Sequence, residues 1–156
     1  MAQSVMTHMI GQLNKTGEFQ IDSAATSREE IGNPPHYGTV NKLRAVGIPV
    51  VPHRARQMTI ADYATFDYLI GMDAANIRNM TRIAGGEDHQ QKIYKLLSFV
   101  NYENTQKFIE VRDVADPWYT GNFDETYEDV VAGCRGFLYY LQQNGELPSD
   151  LTIPVL

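Results

Sequence analysis

The stretch that decides the fold class is "FDYLIGMDAANIRNM", residues 66–80. Its first half, "FDYLIGMD", is a short apolar run typical of a buried strand, and "AANIRNM" continues as a helix. Asp73 stands between the two, where its carboxylate can cap the first turn of the helix. A strand that runs directly into a helix predicts a unit of an α/β fold, with a parallel sheet that helices cover on both faces.

The same alternation continues on both sides of this unit. Residues 1–13 have the apolar spacing of an amphipathic helix, residues 19–27 ("FQIDSAATS") predict a short strand, and residues 37–47 predict a second helix. A short helix follows Thr59, "KIYKLLSFVN" fits either a helix or a strand, and a long amphipathic helix ends before Gly145. This order predicts a three-layer α/β sandwich, in which helices flank a small parallel sheet.

Composition limits the classes of function. The 156 residues suit one domain, and 13 basic against 19 acidic residues give a net charge of −6. Such a charge argues against binding to nucleic acid or to an anionic membrane. No apolar run is long enough to span a bilayer and no secretory signal leads the sequence, so we expect a cytoplasmic protein. Cys134 is the single cysteine, so no internal disulfide is possible, and we expect neither a metal nor a cofactor.

The hexamer "DPWYTG", residues 116–121, is the most informative short motif. It has two interpretations that the hexamer alone leaves open. It is either a turn before the last helix, or a stiff loop that holds Asp116 beside the rings of Trp118 and Tyr119. In the second case Asp116 is a general acid whose pKa an apolar neighbourhood could raise, and the rings flank a flat substrate group.

Several motifs appear together in a characteristic order: "IDSAATS", "EIGNPP", "LRAVGIP", "HRARQMT", "ATFDYLIGMD" followed by "NIR", and "DPWYTG" before a helix that carries a cysteine. In this order and spacing the chain resembles the low-molecular-weight protein tyrosine phosphatases over nearly its whole length. The resemblance implies a four-stranded parallel sheet and a phosphate loop, Cys-x5-Arg-Ser-Pro, between the first strand and the first helix. It also implies that a cysteine thiolate attacks phosphorus while an arginine and backbone N–H groups hold the phosphate oxygens.

The resemblance assigns roles to individual residues of this chain. Asp116 matches the general acid that protonates the leaving phenolate, whose conjugate acid has a pKa of about 10. Trp118 and Tyr119 match the aromatic wall at the entrance of the substrate cleft. Ser23 and His53 match residues that form hydrogen bonds to the phosphate loop from behind and help to keep the thiolate ionised.

Other positions carry less of the family pattern. Glu29 falls where some relatives have an aromatic side chain, so substrate preference does not transfer there. Cys134 is followed six positions later by Tyr140 rather than by arginine, so we interpret it as a core cysteine. Arg54 and Arg56 are predicted to form surface salt bridges rather than to bind phosphate.

In the family, the opening helix follows directly after Arg-Ser-Pro, so we expect this sequence to be N-terminally truncated and to lack the nucleophile. The absent first strand would lie inside the sheet. If it carried five apolar residues at about 1.5–3 kcal/mol each, its loss would equal the whole net stability of a domain. Three solutions are open: an N-terminal part outside this sequence, refilling of the strand's position by residues 151–156, or association of two chains as a homodimer.

The main functional hypothesis is a domain that hydrolyses phosphotyrosine or small aryl phosphates through a cysteinyl-phosphate intermediate. We expect the 156 residues alone to be inactive, and phosphate, sulfate or vanadate to bind only if the loop is present. The alternative is a non-catalytic binding domain of the same fold. Arsenate reduction is a weaker third possibility, because that chemistry requires cysteines besides Cys134.

Overall fold

The computed structural model describes residues 1–156 except for the side chains of Trp118 and Tyr119. The helices and strands follow one another in this order: α1 (Ala2–Gln12), α2 (Tyr37–Ala45), α3 (Ile60–Thr65), β1 (Leu69–Gly71), α4 (Ala74–Ile83), β2 (Ile93–Lys95), α5 (Val100–Glu103), α6 (Pro117–Thr120) and α7 (Phe123–Gln143). Short 3₁₀ turns occupy Thr16–Glu18 and Leu96–Phe99. None of the helices described is long and apolar enough to cross a membrane.

The strand and helix predicted from residues 66–80 form the centre of the fold. β1 pairs in parallel with β2, with Leu69 opposite Ile93 and Ile70 opposite Tyr94. Helix α4 makes the crossover between the strands, and Asp73 caps it by accepting a hydrogen bond from the N–H of Asn76 at 2.7 Å. The sequence prediction of a parallel α/β unit is confirmed.

The two faces of this small sheet pack against different apolar clusters. Leu69 and Ile93 face a cluster built mainly from α3 and α4, whereas Ile70 and Tyr94 face a larger cluster built from α1, α2 and α7. Successive residues of a strand point to opposite faces of the sheet, so this division follows from the alternation of side chains. The result is the predicted sandwich of helices, sheet and helices.

The prediction of a strand over residues 19–27 is wrong. The segment contributes one isolated parallel bridge, between Ala25 and Gln57, and the described residues form two paired strands rather than the four that the resemblance implies. A strand needs a neighbouring strand for its hydrogen bonds. Between this segment and β1 lies a cavity, which Ile21 and Ile70 both line, so the segment is extended without a regular partner.

Helix α7 packs closely against the chain that follows β2. Gly133 faces Leu96, and Gly136 lies directly on the backbone carbonyl of Phe99, so neither position has room for a Cβ atom. Cys134 lies on the same apolar face and is fully buried, as predicted. The run "KIYKLLSFVN", for which the sequence left helix and strand open, contains β2, the second 3₁₀ turn and the start of α5. The backbone of this 3₁₀ turn contacts α7.

The C-terminal tail lies along α7. Ile153 is buried in the larger cluster, and Gln142 Nε2 donates to the carbonyl of Leu151 at 2.9 Å. Arg135 donates to the carbonyls of Ile153 and Pro154. The proposal that residues 151–156 refill the position of the first strand is therefore wrong, because their contacts commit them to the surface of α7.

The packing of Gly136 generates a stability prediction. Gly136→Ala should lower the free energy of unfolding by about 1–3 kcal/mol, because its methyl group would overlap the Phe99 carbonyl and force α7 outward. Gly11→Ala is the matched control, since a methyl group on the helical Gly11 would extend into open space, and it should stabilise by about 0.5–1 kcal/mol. Urea denaturation of both variants measures the difference, and a Gly136→Ala protein as stable as its parent would contradict this packing.

Candidate active site

A cavity of about 1140 Å³ runs beside β1, between α1, α7 and the extended segments that precede α2 and α3. Its apolar lining includes side chains from each of these elements: Met6, Ile21, Leu43, Val50, Ile70, Leu96, Val130, Phe137 and Leu141. Ser23, His53 and Asp116 line the same cavity, so the structure brings three of the predicted site residues to one space. β1 forms part of the cavity wall. Within the described residues β1 pairs with β2 on one side, and its other edge has no strand partner.

Ser23 and His53 form a polar network with the first turn of α1. Ser23 Oγ donates to Gln3 Oε1 at 2.7 Å and lies 3.1 Å from His53 Nε2. A serine hydroxyl has one proton, so the bond to Gln3 leaves Ser23 Oγ as the acceptor of the His53 Nε2–H. His53 Nδ1 lies 3.8 Å from Asp22 Oδ1, which is too long for a hydrogen bond. The sequence did not indicate that Ser23 and His53 contact each other, nor that Gln3 and Asp22 lie beside them.

Arg56 is held by carboxylates and is not directed at a ligand. Its guanidinium donates to Asp22 Oδ2 at 3.0 Å and to Asp62 Oδ2 at 2.8 Å. The hydrogen bond from Arg56 is the main cause that holds the pKa of Asp62 below its usual value, aided by the N–H of Thr59. The predicted surface salt bridging of Arg56 is confirmed, whereas Arg54 donates to the carbonyl of Gly32 at 3.1 Å.

Asp116 lies just beyond a segment that is bound to the carboxyl end of β1. The N–H of Val114 donates to the carbonyl of Met72 at 2.9 Å, and Asp113 accepts a hydrogen bond from the N–H of Ala74. After Asp116 the chain turns into α6, where the N–H of Thr120 donates to the Asp116 carbonyl at 3.2 Å. Asp116 itself is exposed at the edge of the cavity.

The structure tests the prediction for Cys134 but not the predicted aromatic wall of Trp118 and Tyr119. The backbones of Trp118 and Tyr119 belong to α6, and their side chains lie outside the described part of the structure. Cys134 lines the cavity from α7, and burial raises its pKa to about 12, so its thiol stays protonated at neutral pH. The cysteine in this sequence is therefore a core residue without nucleophilic character.

The sequence analysis missed two polar residues that support the site from α7. Thr126 and Asp129 are both buried, and both form hydrogen bonds to the backbone of Ala115, the residue before Asp116. The sequence did contain a sign of this role, because Thr126 and Asp129 lie three residues apart on the apolar face of an amphipathic helix. A polar side chain that is buried on such a face requires a hydrogen-bond partner.

The fold and the cavity place this chain among the three-layer α/β proteins whose sites lie at the carboxyl ends of parallel strands. A family model described as low molecular weight phosphotyrosine protein phosphatase matches residues 1–147. The chain belongs to this family. The resemblance noted in the sequence motifs is thereby confirmed.

Individual relatives agree with this assignment. The low molecular weight protein-tyrosine-phosphatase YfkJ of Bacillus subtilis is 35% identical over 147 residues, which cover 94% of this chain and 90% of the relative. The human low molecular weight phosphotyrosine protein phosphatase is 35% identical over 139 residues, covering 88% and 84% of the two chains. The crystal structure of YfkJ matches with a TM-score of 0.82 at 34% identity over 92% of this chain and 86% of that chain.

A more distant structure shares the fold alone. The crystal structure of a Drosophila arginine phosphatase matches with a TM-score of 0.74 at 20% identity, covering 90% of this chain and 88% of that chain.

The ion pair beneath the site generates a prediction about pH. Arg56→Gln should lower the free energy of unfolding by about 1 kcal/mol at neutral pH. Because the folded-state pKa of Asp62 is depressed, its stabilisation is present above the unfolded-state pKa of about 4 and is lost as the pH falls through the folded-state value. The deficit of the variant should therefore shrink in acid, as measured by urea denaturation across a pH series.

Arg54→Gln provides the control for this experiment. Arg54 donates to a backbone carbonyl that does not titrate, so any deficit of this variant should be independent of pH from neutral to acid conditions. If the Arg56→Gln deficit were equally constant, the pairing of Arg56 with Asp62 would not be the source of its stabilisation.

Proposed function

We propose that this protein hydrolyses phosphotyrosine and related aryl phosphate monoesters, with Asp116 as the general acid. The observation that carries the proposal is the position of Asp116, exposed at the edge of a cavity that Ser23 and His53 also line. The family and the names of the relatives support the substrate class. Trp118 and Tyr119 are proposed to flank the aryl ring.

In the proposed mechanism a cysteine thiolate attacks phosphorus, a sulfur–phosphorus bond forms, and the bond from phosphorus to the aryl oxygen breaks. Asp116 transfers its proton to that oxygen, so the leaving group departs as a neutral phenol. The Asp116 carboxylate then accepts a proton from the water that attacks the cysteinyl phosphate. This second step releases inorganic phosphate and restores both the thiolate and the protonated Asp116.

The nucleophile is proposed to belong to polypeptide that occupies the cavity, since Cys134 is buried and its thiol is protonated. The cavity suits a strand followed by a phosphate loop: its lining is largely apolar, and one of its walls is an edge of β1 that has no strand partner among the described residues. Ser23 and His53 are proposed to bind the loop by hydrogen bonds, and phosphate, sulfate or vanadate would bind inside it. A thiolate mechanism also suits a reducing compartment such as the cytoplasm.

A direct test compares two forms of the protein. The 156-residue chain should show no turnover of an aryl phosphate, whereas the chain extended before Met1 by an apolar strand and a Cys-x5-Arg-Ser-Pro loop should show hydrolysis that vanadate inhibits. The same extension with serine in place of the loop cysteine is the matched control and should be inactive. Vanadate-sensitive hydrolysis by the unextended chain would refute this mechanism.

The general acid has its own test in the extended protein. Asp116→Asn should slow hydrolysis of phenyl phosphate by about 10²- to 10⁴-fold, because the phenolate must then leave without a proton. Asp124→Asn is the control, since Asp124 is an exposed carboxylate that pairs with Lys42 at the start of α7, and it should leave the rate unchanged. A change of less than about threefold for Asp116→Asn would assign the acid to another residue.

A second candidate function is binding without catalysis, which the protonated state of the buried Cys134 favours for the 156 residues taken alone. In that case the chain would bind a phosphotyrosine peptide in the cleft but release it unchanged. A second copy of the chain that covers the open edge of β1 would form a homodimer. Calorimetric titration with a phosphotyrosine peptide and analytical ultracentrifugation distinguish this candidate from the enzyme.

A further inference from the structure

The backbone of Ala115, the residue before Asp116, is held by two buried polar side chains of α7. Thr126 Oγ1 donates to the carbonyl of Ala115 at 2.6 Å, and the N–H of Ala115 donates to Asp129 Oδ2 at 2.9 Å. Thr126 and Asp129 are each buried, with 7% of the residue exposed. The N–H and the carbonyl of Ala115 are thus both bound by α7, through two side chains that lie one helical turn apart.

Arg112 completes this arrangement and keeps Asp129 charged. Its guanidinium donates to both oxygens of Asp129, with Nη1 at 2.8 Å from Oδ2 and Nη2 at 2.6 Å from Oδ1. Burial by itself would raise the pKa of Asp129, but the hydrogen bonds from Arg112 and from the N–H of Ala115 outweigh it and hold the pKa below its usual value. The carboxylate is therefore a permanent acceptor for the backbone of Ala115.

The segment is bound on its other side to the sheet. The N–H of Val114 donates to the carbonyl of Met72 at the end of β1, and the Val114 side chain is buried. Residues 112–115 are consequently held between β1 and α7, and Asp116 follows at the edge of the cavity. Proton transfer needs a donor placed within a few tenths of an ångström, which rigid support of this kind supplies.

We propose that Thr126 and Asp129 are positioning residues that hold the general acid Asp116 at the cleft by binding both polar groups of Ala115. This inference rests on the proposed function of Asp116. The two residues act through the backbone and do not touch the substrate. Their loss should therefore weaken proton donation to the leaving group without removing the nucleophilic step.

The first test is the leaving-group dependence of kcat/KM in the extended protein. Thr126→Val keeps the shape of the side chain but loses the hydroxyl, and it should lower kcat/KM about tenfold for phenyl phosphate. With 2,4-dinitrophenyl phosphate, whose leaving group departs without a proton, the loss should stay below about twofold. Thr126→Ser retains the hydroxyl and should have the kcat/KM values of the parent protein for both substrates.

Thr81→Val is the matched control. Thr81 Oγ1 donates to the carbonyl of Ile77 within α4, so this variant also removes a partly buried threonine hydrogen bond to a backbone carbonyl, but one that does not involve residues 112–116. It should leave both substrates unaffected. Equal losses for both substrates in Thr126→Val, or no loss for phenyl phosphate, would overturn the proposal.

A second readout does not depend on catalysis. In the 156-residue chain, Thr126→Val and Asp129→Asn should make amide hydrogen exchange at Ala115 about three- to tenfold faster, with exchange in α4 unchanged. Unchanged exchange at Ala115 would overturn the positioning role even if the enzyme were active. Faster exchange in a protein that shows no turnover in any form would instead refute the proposed function while leaving the anchoring of Ala115 intact.

Discussion

The close packing of α7 on the backbone that follows β2 is the constraint on which the other elements depend. Gly136 allows the helix to lie on the carbonyl of Phe99, and Gly133 admits Leu96, so α7 and the sheet approach closely. This contact fixes the helix over the larger apolar cluster, where it also meets α1, α2 and the C-terminal tail. Any residue on α7 is consequently placed accurately relative to β1.

The same helix connects the core with the site. Its central part is apolar and buried, whereas its N-terminal part carries Thr126 and Asp129, which bind the chain beside Asp116. A catalytic group on a loop loses precision unless a rigid element supports it. Here the supporting atoms are on α7, which packs closely against the core, so the packing of the core also affects the position of Asp116.

The cavity beside β1 combines an apolar interior with an ordered polar network. Ser23 and His53 are already oriented by each other and by Gln3, and Arg56 is occupied by the carboxylates of Asp22 and Asp62. Such a network needs little reorganisation when a ligand or a loop arrives, which lowers the entropic cost of binding.

The sequence by itself determined the elements that depend on local patterns: the helices α1, α4 and α7, the cap at Asp73, the strand β1 and the burial of Cys134. Its motifs also indicated the family and the cluster of Ser23, His53 and Asp116. Only the tertiary structure decided that residues 19–27 form no ladder, that the tail lies along α7, and that Thr126 and Asp129 hold Ala115. The physical reason is that helix spacing and caps are set by residues within a few positions of each other. Strand pairing and buried hydrogen bonds instead depend on partners that are distant in the chain and become neighbours when it folds.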